Sequence, residues 1–302
     1  MKKAKRILAV AAASVLSVVS LAMFAGCDTD NPEVRITYSF NGVEYKVDYR
    51  LSRKGAPATV QHFIELADKG YYDGTIIHDY QSNAIYGGAY TWDAENEEMV
   101  EKDYYNTVKD WNLTQTVFQQ GEGGKPGKAL YTVRGEFENN GIEGNSKTLT
   151  HSQGALAMYY TSKGNDSTRV GMTRADGGKD NDGSEYQEDN FYRYNSATSM
   201  FYTITGTSSQ SSLNASYCVF GDVIDFRADG GMRDLLDAIQ DYIDELDNED
   251  DFTESTVISN VNRYDPYDAV TGGNHFRNLN ISATYQVPVE PITIVSVKVT
   301  KY

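Results

Sequence analysis

The chain has 302 residues, with 27 Lys and Arg against 43 Asp and Glu, and a formal net charge of −16. That balance excludes nucleic acid as a partner, because phosphate binding relies on basic side chains neutralising the backbone. Only two cysteines are present, Cys27 and Cys218, so the fold cannot depend on a disulfide framework.

The N-terminus sets the compartment. Lys2, Lys3, Lys5 and Arg6 precede an apolar run from Ile7 to Phe24, followed by Ala25-Gly26-Cys27. A cationic start, an apolar stretch and small residues at a cleavage point make residues 1–26 a secretory signal. A cysteine directly after Ala-Gly resembles the bacterial lipobox, in which the new N-terminal cysteine receives lipid. Polar Asp28-Thr29-Asp30 follows at once, which favours lipidation of Cys27 over a transmembrane continuation. Loss of residues 1–26 removes four positive charges and takes the net charge from −16 to −20. Anionic lipid repels such a chain, so contact with the bilayer falls to the acyl chains on Cys27, several of which hold stably where one does not. The expected location is the extracytoplasmic face of a bacterial cell membrane. Residues 27–33 form the lipid-anchored linker.

Folded structure begins with a hairpin over Val34–Leu51, where ITYSF and VEYKVDYRL flank Asn41-Gly42, a pair suited to a type I′ turn. Residues 56–66 read as a helix with Pro57 in its first turn, Val60, Phe63, Ile64 and Ala67 on one face, and Gly70 as its stop. His62 falls on the exposed side of that helix. After the β-branched run Thr75-Ile76-Ile77, residues 89–131 form a polar, acidic insertion containing Trp92 and Trp111. Within it, Gly121–Ala129 imitates a phosphate loop, but Ala129 replaces the hydroxyl and Pro126 disturbs the amide nest, so a turn is expected.

Strand signals resume at Ala129–Val133 and Gly154–Tyr160. A second insertion, 161–198, carries Asp180, Asp182 and Gly183 in a calcium-loop order, but Gly178 occupies the first ligand position and the stretch reads as a solvated acidic loop. Cys218 lies in the apolar run Tyr217–Gly221 as a buried thiol. The clearest helix follows, its stripe of Met232, Leu235, Leu236, Ile239, Tyr242, Ile243 and Leu246 backed by an acidic face. A third insertion spans about 247–285, and the chain closes on an alternating strand after Pro291. Many short strands with two helices suggest a barrel or sandwich capped by helices.

The order of motifs resembles one family. Ala56-Pro57-x-Thr59-Val60-x-x-Phe63-x-x-Leu66 and Gly70-Tyr71-Tyr72-Asp73-Gly74-Thr75-Ile76-Ile77-His78 are similar to the first helix and following strand of cyclophilin-type peptidyl-prolyl isomerases. Gly135-Glu136-Phe137 with Asn140-Gly141, Gly154–Met158, Ser199–Tyr202 and Tyr217–Val223 keep the family's order, and Val287–Pro291 resembles the run before its last strand. The resemblance implies a mainly β fold over residues 34–302: a closed eight-stranded antiparallel barrel, capped by two helices and interrupted by the insertions. It also implies an isomerase assisting the folding of exported proteins, acting as a monomer on their proline-containing segments without cofactor or metal.

Isomerisation defines what the site needs. Twisting an X–Pro amide costs ~18–20 kcal/mol, and a catalyst must direct a donor at the prolyl nitrogen, whose lone pair emerges only in the twisted state. The family's donor is an arginine directly after the histidine, aided by a glutamine before Gly-Gly. Here those positions are Asp79 and Tyr86. An ionised aspartate donates nothing. The resemblance places the substrate face at Ile85, Tyr86, Tyr159, Met200, Tyr202, Leu213 and Tyr217, with Tyr202 in place of a phenylalanine and Ser212 in place of a frequent tryptophan. His78 is expected to be structural. Two functions compete: an isomerase of reduced activity, with Arg169, Arg174 or Arg193 as the cations that could reach the site, and an inactive module binding peptide or a wall component. The 23 tyrosines against 11 phenylalanines favour recognition. A serine–histidine hydrolase is a poor third option, since His62, His78, His151 and His275 lack any nucleophile motif around serine.

Overall fold

The computed structural model describes residues 31–102, 104–114, 118–120, 126–129, 131, 133–138, 149–159, 171–173, 187–189, 196–258 and 283–302. The signal segment, Cys27, the calcium-like loop at 176–183 and Arg169, Arg174 and Arg193 lie outside the described residues.

The first hairpin forms as the Asn-Gly signal predicts. β1 (Glu33–Phe40) and β2 (Val43–Leu51) pair with Phe40 opposite Val43, and Asn41 and Gly42 both take positive φ, 47° and 77°. Val34, Ile36, Tyr38 and Phe40 face Tyr45, Val47, Tyr49 and Leu51 in the core, the period-2 pattern of a strand with one buried face. Helix α1 (Pro57–Asp68) follows, then β3 (Thr75–Gln81), β4 (Ala84–Asp93) and β5 (Glu98–Glu101). The remaining principal elements are β6 (Ala155–Met158), β7 (Phe201–Ile204), β8 (Cys218–Val223), α2 (Met232–Asp244), β9 (Thr253–Ile258), β10 (Ala283–Pro288) and β11 (Thr293–Lys301).

Eight of these strands close on themselves. Around the ring the order is β7-β6-β8-β2-β1-β11-β3-β4, and β4 pairs back with β7, every pairing antiparallel. β5 extends β4 outside the ring. Closure removes the free edges that a sheet of this size would otherwise expose. Inside, a chain of buried hydroxyls crosses the barrel, Tyr38 to Tyr49 at 3.2 Å and Tyr49 to Thr203 at 3.0 Å, so the tyrosines bring their polar tips into the core already partnered.

The helices stop the two ends. Phe63 of α1 packs its ring on Tyr72, Phe220 and Phe201 at centroid distances of 4.9, 5.0 and 5.5 Å. Residue Ala56 before α1 offers no side-chain cap. Glu136 supplies one from 77 residues away, accepting from Thr59 N (2.8 Å), Thr59 Oγ1 (2.7 Å) and Ala58 N (3.1 Å). A carboxylate at the positive end of a helix is well placed, although its burial pushes the carboxyl up against the effect of these bonds. At the other end, Met232, Leu235 and Ile239 of α2 are buried, and Tyr242 meets Phe40 edge-on at 5.6 Å.

Two expectations change. His62 is fully buried, not on the surface, because its Nε2 reaches Thr198 O at 2.6 Å. The strand expected at Ala129–Val133 is broken at Tyr131, whose φ is +55°, leaving Pro126–Ala129 and Val133–Arg134 as separate strands. The first two insertions carry strands of their own: Phe118–Gln120 lies between Pro126–Ala129 and Gly171–Thr173, with Gln187–Asp189 alongside.

Asp222 of β8 stands opposite Arg50 and Ala155, and burial pushes its carboxyl up to about 6. The folded state therefore binds the proton more tightly than the unfolded chain. This group's contribution is complete below the ordinary aspartate range and is lost as pH rises through about 6. Asp222→Asn should gain roughly 1–2 kcal/mol on the wild type between pH 4 and 7, less than the full shift because water partly screens the carboxyl. Urea unfolding at both pH values measures the difference, and parallel pH profiles would refute it.

Candidate functional site

The β3–β4 ladder contains the irregularity that shapes the site. Ile77 faces Gly87 and Asp79 faces Tyr86, so no residue of β4 stands opposite His78. Such a bulge turns two consecutive side chains to one face. Ile77 and Tyr80 pack on the inner core, whereas His78 and Asp79 sit on the outside. Gly88, at φ +90°, lets β4 pass β7, since a Cβ there would lie 2.6 Å from Ser199 O.

His78 is fully buried between the rings of Tyr90 (4.8 Å) and Tyr285 (5.1 Å), a packing position in keeping with the structural role expected of it. Tyr285 belongs to β10, which comes from the end of the third insertion and lies against β3. Asp79 fastens that strand. Its Oδ1 accepts from the Gln286 backbone N–H at 2.9 Å and from Gln81 Nε2 at 2.7 Å. Burial pushes the Asp79 carboxyl up, and the two hydrogen bonds oppose the shift.

Beside Asp79 the outer face of β4, β7, β6 and β8 is tiled with tyrosine. Four rings form a closed circuit: Tyr86–Tyr202 at 5.0 Å and 32°, Tyr202–Tyr217 at 6.0 Å and 83°, Tyr217–Tyr159 at 6.0 Å and 36°, and Tyr159–Tyr86 at 6.1 Å and 82°. Near-parallel and near-perpendicular contacts alternate, both favourable arrangements of the ring quadrupole. They rest on Ala84, Ala155, Ala157, Ile204 and Val219, small or aliphatic residues that leave the rings room. Burial first, and then the Asp79 charge, push the Tyr86 hydroxyl up to about 12, so it remains neutral at physiological pH.

Tyr202 is the floor, 1% exposed. Its hydroxyl meets His151 Nε2 at 2.8 Å, while His151 Nδ1 and the His151 backbone N–H both meet Asn214 Oδ1, at 2.7 and 3.0 Å. An amide oxygen only accepts, so Nδ1 carries the proton, Nε2 is the acceptor, and Tyr202 donates to it. Burial lowers the His151 pKa and favours this neutral ring.

Of the residues expected to face substrate, Tyr86, Tyr159, Tyr202 and Tyr217 are brought together. Ile85 is not: it points into the barrel core, paired across the sheet with Tyr80 and Thr203. Its neighbours on β4, Ala84 and Tyr86, take the outer face instead. Met200 precedes β7 half-buried, its carbonyl accepting from Tyr159 N at 2.9 Å. Leu213 ends the 3-10 turn Ser211–Leu213, and its carbonyl accepts from Tyr217 N at 3.0 Å, which holds Tyr217 in the circuit. Sequence reasoning missed His151 and Asn214, and Gln286, whose contribution is a backbone N–H that no motif marks. Among the described residues no group of three or more His, Cys, Asp or Glu could hold a metal ion.

A closed eight-stranded antiparallel barrel, stopped by a helix at each end and bearing its site on the outer face, defines a cyclophilin-like fold. Residues 35–171 match the model of the cyclophilin type peptidyl-prolyl cis-trans isomerase/CLD family. The barrel strands continue past the matched residues to Lys301. The crystal structure of a Cryptosporidium parvum cyclophilin type peptidyl-prolyl cis-trans isomerase is similar at 17% identity and a TM-score of 0.41, over 90% of this chain and 99% of that one. The same protein in the presence of the dipeptide Ala-Pro is similar at 16% identity and a TM-score of 0.39, over 89% and 99%. No curated protein matches the chain in sequence.

Tyr202→Phe tests the floor. Removing one hydroxyl leaves His151 Nε2 buried without its donor, and the variant should lose roughly 1–3 kcal/mol in urea unfolding. An unchanged midpoint would show that the Tyr202–His151 bond is dispensable.

Proposed function

We propose that this cyclophilin-type protein is anchored by lipid on Cys27 to the outer face of a bacterial cell membrane. There it binds proline-containing segments of exported proteins and isomerises them slowly. The observation that carries the reduced rate is the state of Asp79. At the position where the family resemblance sets a cationic donor, the side chain is an acceptor already engaged by the Gln286 amide. An ionised carboxylate facing a prolyl nitrogen disfavours the lone pair that emerges on twisting. Loss of one preorganised donor costs roughly 2.7–4 kcal/mol, or two to three orders of magnitude in rate.

The second reading, a module that binds peptide or a wall component without catalysis, draws support from Tyr202. The ring that would floor a proline pocket is 1% exposed, beneath Tyr86, Tyr217 and His151. A protease-free isomerisation assay on an X–Pro peptide, with the chain from Asp28 onward, separates the two. The expected enhancement is at least about a hundredfold below that of family members carrying the donor. Activity within tenfold of theirs would overturn the reading of Asp79, and a background rate with peptide binding intact would favour the second function.

The anchor has its own test. Among the described residues no helix is long and apolar enough to cross a membrane. Labelled palmitate should enter the full chain expressed in a bacterial host and be lost in Cys27→Ala. Equal labelling of the variant would refute lipidation at Cys27.

A further inference from the structure

Replacing the family's cationic donor with Asp79 inverts the sign of charge at the site, and rotation of an amide does not call for a carboxylate there. Both hydrogen bonds to Asp79 fall on Oδ1, and among the described residues neither a lysine nor an arginine pairs with this side chain. Directly across the ladder stands Tyr86, the first ring of the tyrosine circuit, which meets Tyr159 at 6.1 Å and 82° to form a corner of two ring faces. Tyr86, Tyr159 and Tyr217 are all part-exposed. Aromatic faces carry negative potential and attract a cation within about 6 Å of the ring centroid. A half-buried carboxylate adds a Coulombic attraction less screened than at an open surface. The raised Tyr86 hydroxyl reports the same local field, being held neutral partly by the Asp79 charge.

We propose that this face selects a cationic side chain, arginine or lysine, next to the proline of the peptide it binds. The rings of Tyr86, Tyr159 and Tyr217 would lie against the cation, with Asp79 as its counter-ion. The proposal rests on the peptide-binding reading above and names the substrate class for that site. The chain's net charge of −16 draws any cationic peptide at long range, so the decisive comparison holds peptide charge constant.

Calorimetry on the full chain in an uncharged detergent supplies that comparison. One alanine-based peptide carries arginine directly before proline. A second of identical composition carries the arginine at the far end. The wild type should bind the first about tenfold more tightly, a difference within the range of one cation–π contact combined with an ion pair. Asp79→Asn keeps an oxygen for the Gln286 amide and removes the charge, so the ratio between the two peptides should collapse towards unity. Tyr159→Leu, remote from the Gln286 contact, should lower the same ratio and serves should the first variant fail to fold. Equal binding of both peptides by the wild type overturns the proposal and leaves peptide binding standing. A ratio unchanged in both variants also overturns it. Binding of neither peptide defeats the underlying peptide-binding reading itself.

Discussion

Everything on the outer face depends on the closure of the barrel by β7, a strand of only four residues. Phe201 to Ile204 pair with β4 on one side and β6 on the other, so neither edge of the strand faces solvent. Strict alternation then fixes both faces at once. Phe201 and Thr203 turn inward, where Thr203 completes the Tyr38–Tyr49 hydroxyl chain, and Tyr202 and Ile204 turn outward. A slip of one residue would bury the Tyr202 hydroxyl without His151 and expose Phe201, so the inner hydrogen bonds and the outer site enforce the same register.

The bulge at His78 is the second constraint, and it explains how the barrel accommodates a long insertion before its last strand. By turning both His78 and Asp79 outward, it gives Tyr285 of β10 the His78 ring to pack on, beside Tyr90, and gives the Gln286 amide a carboxylate. Desolvating a carboxylate is costly unless hydrogen bonds replace its water, and here two donors do so on one oxygen. Because Tyr86 beside it stays neutral, the site holds a single negative charge from this pair and no like-charge repulsion.

Much of the fold was legible in the sequence because its signals are local. Asn41-Gly42 carries its own turn geometry, Pro57 and Gly70 bracket α1, and the apolar stripe from Met232 survives as the buried face of α2. The failures are non-local. His62 sits among helix residues of mixed polarity, and its acceptor, Thr198 O, lies 136 residues away. Counting along the family motif sets Ile85 at the substrate face. In the structure the pairing of Asp79 with Tyr86 gives the outer face to Tyr86 and sends Ile85 inward. The four outward tyrosines were identifiable one by one from the family pattern. Their closed circuit was not, since it joins residues of β4 and β7 to residues flanking β6 and β8 that only the barrel brings together.

That circuit separates binding from catalysis in physical terms. Each ring touches two others, and aromatic pairs contribute roughly 0.5–1.5 kcal/mol each beyond their buried area, so the face is held in shape before any ligand arrives. A preformed, rigid aromatic surface spends little entropy on ordering itself and can retain affinity for an extended segment. Ring faces, however, make the same contacts with a planar amide as with a twisted one. Interactions equal in the ground and transition states tighten binding without lowering the barrier between them. Only a group aimed at the prolyl nitrogen distinguishes the two states. Here the residue beside the rings is Asp79, which favours positive charge and holds β10 in place.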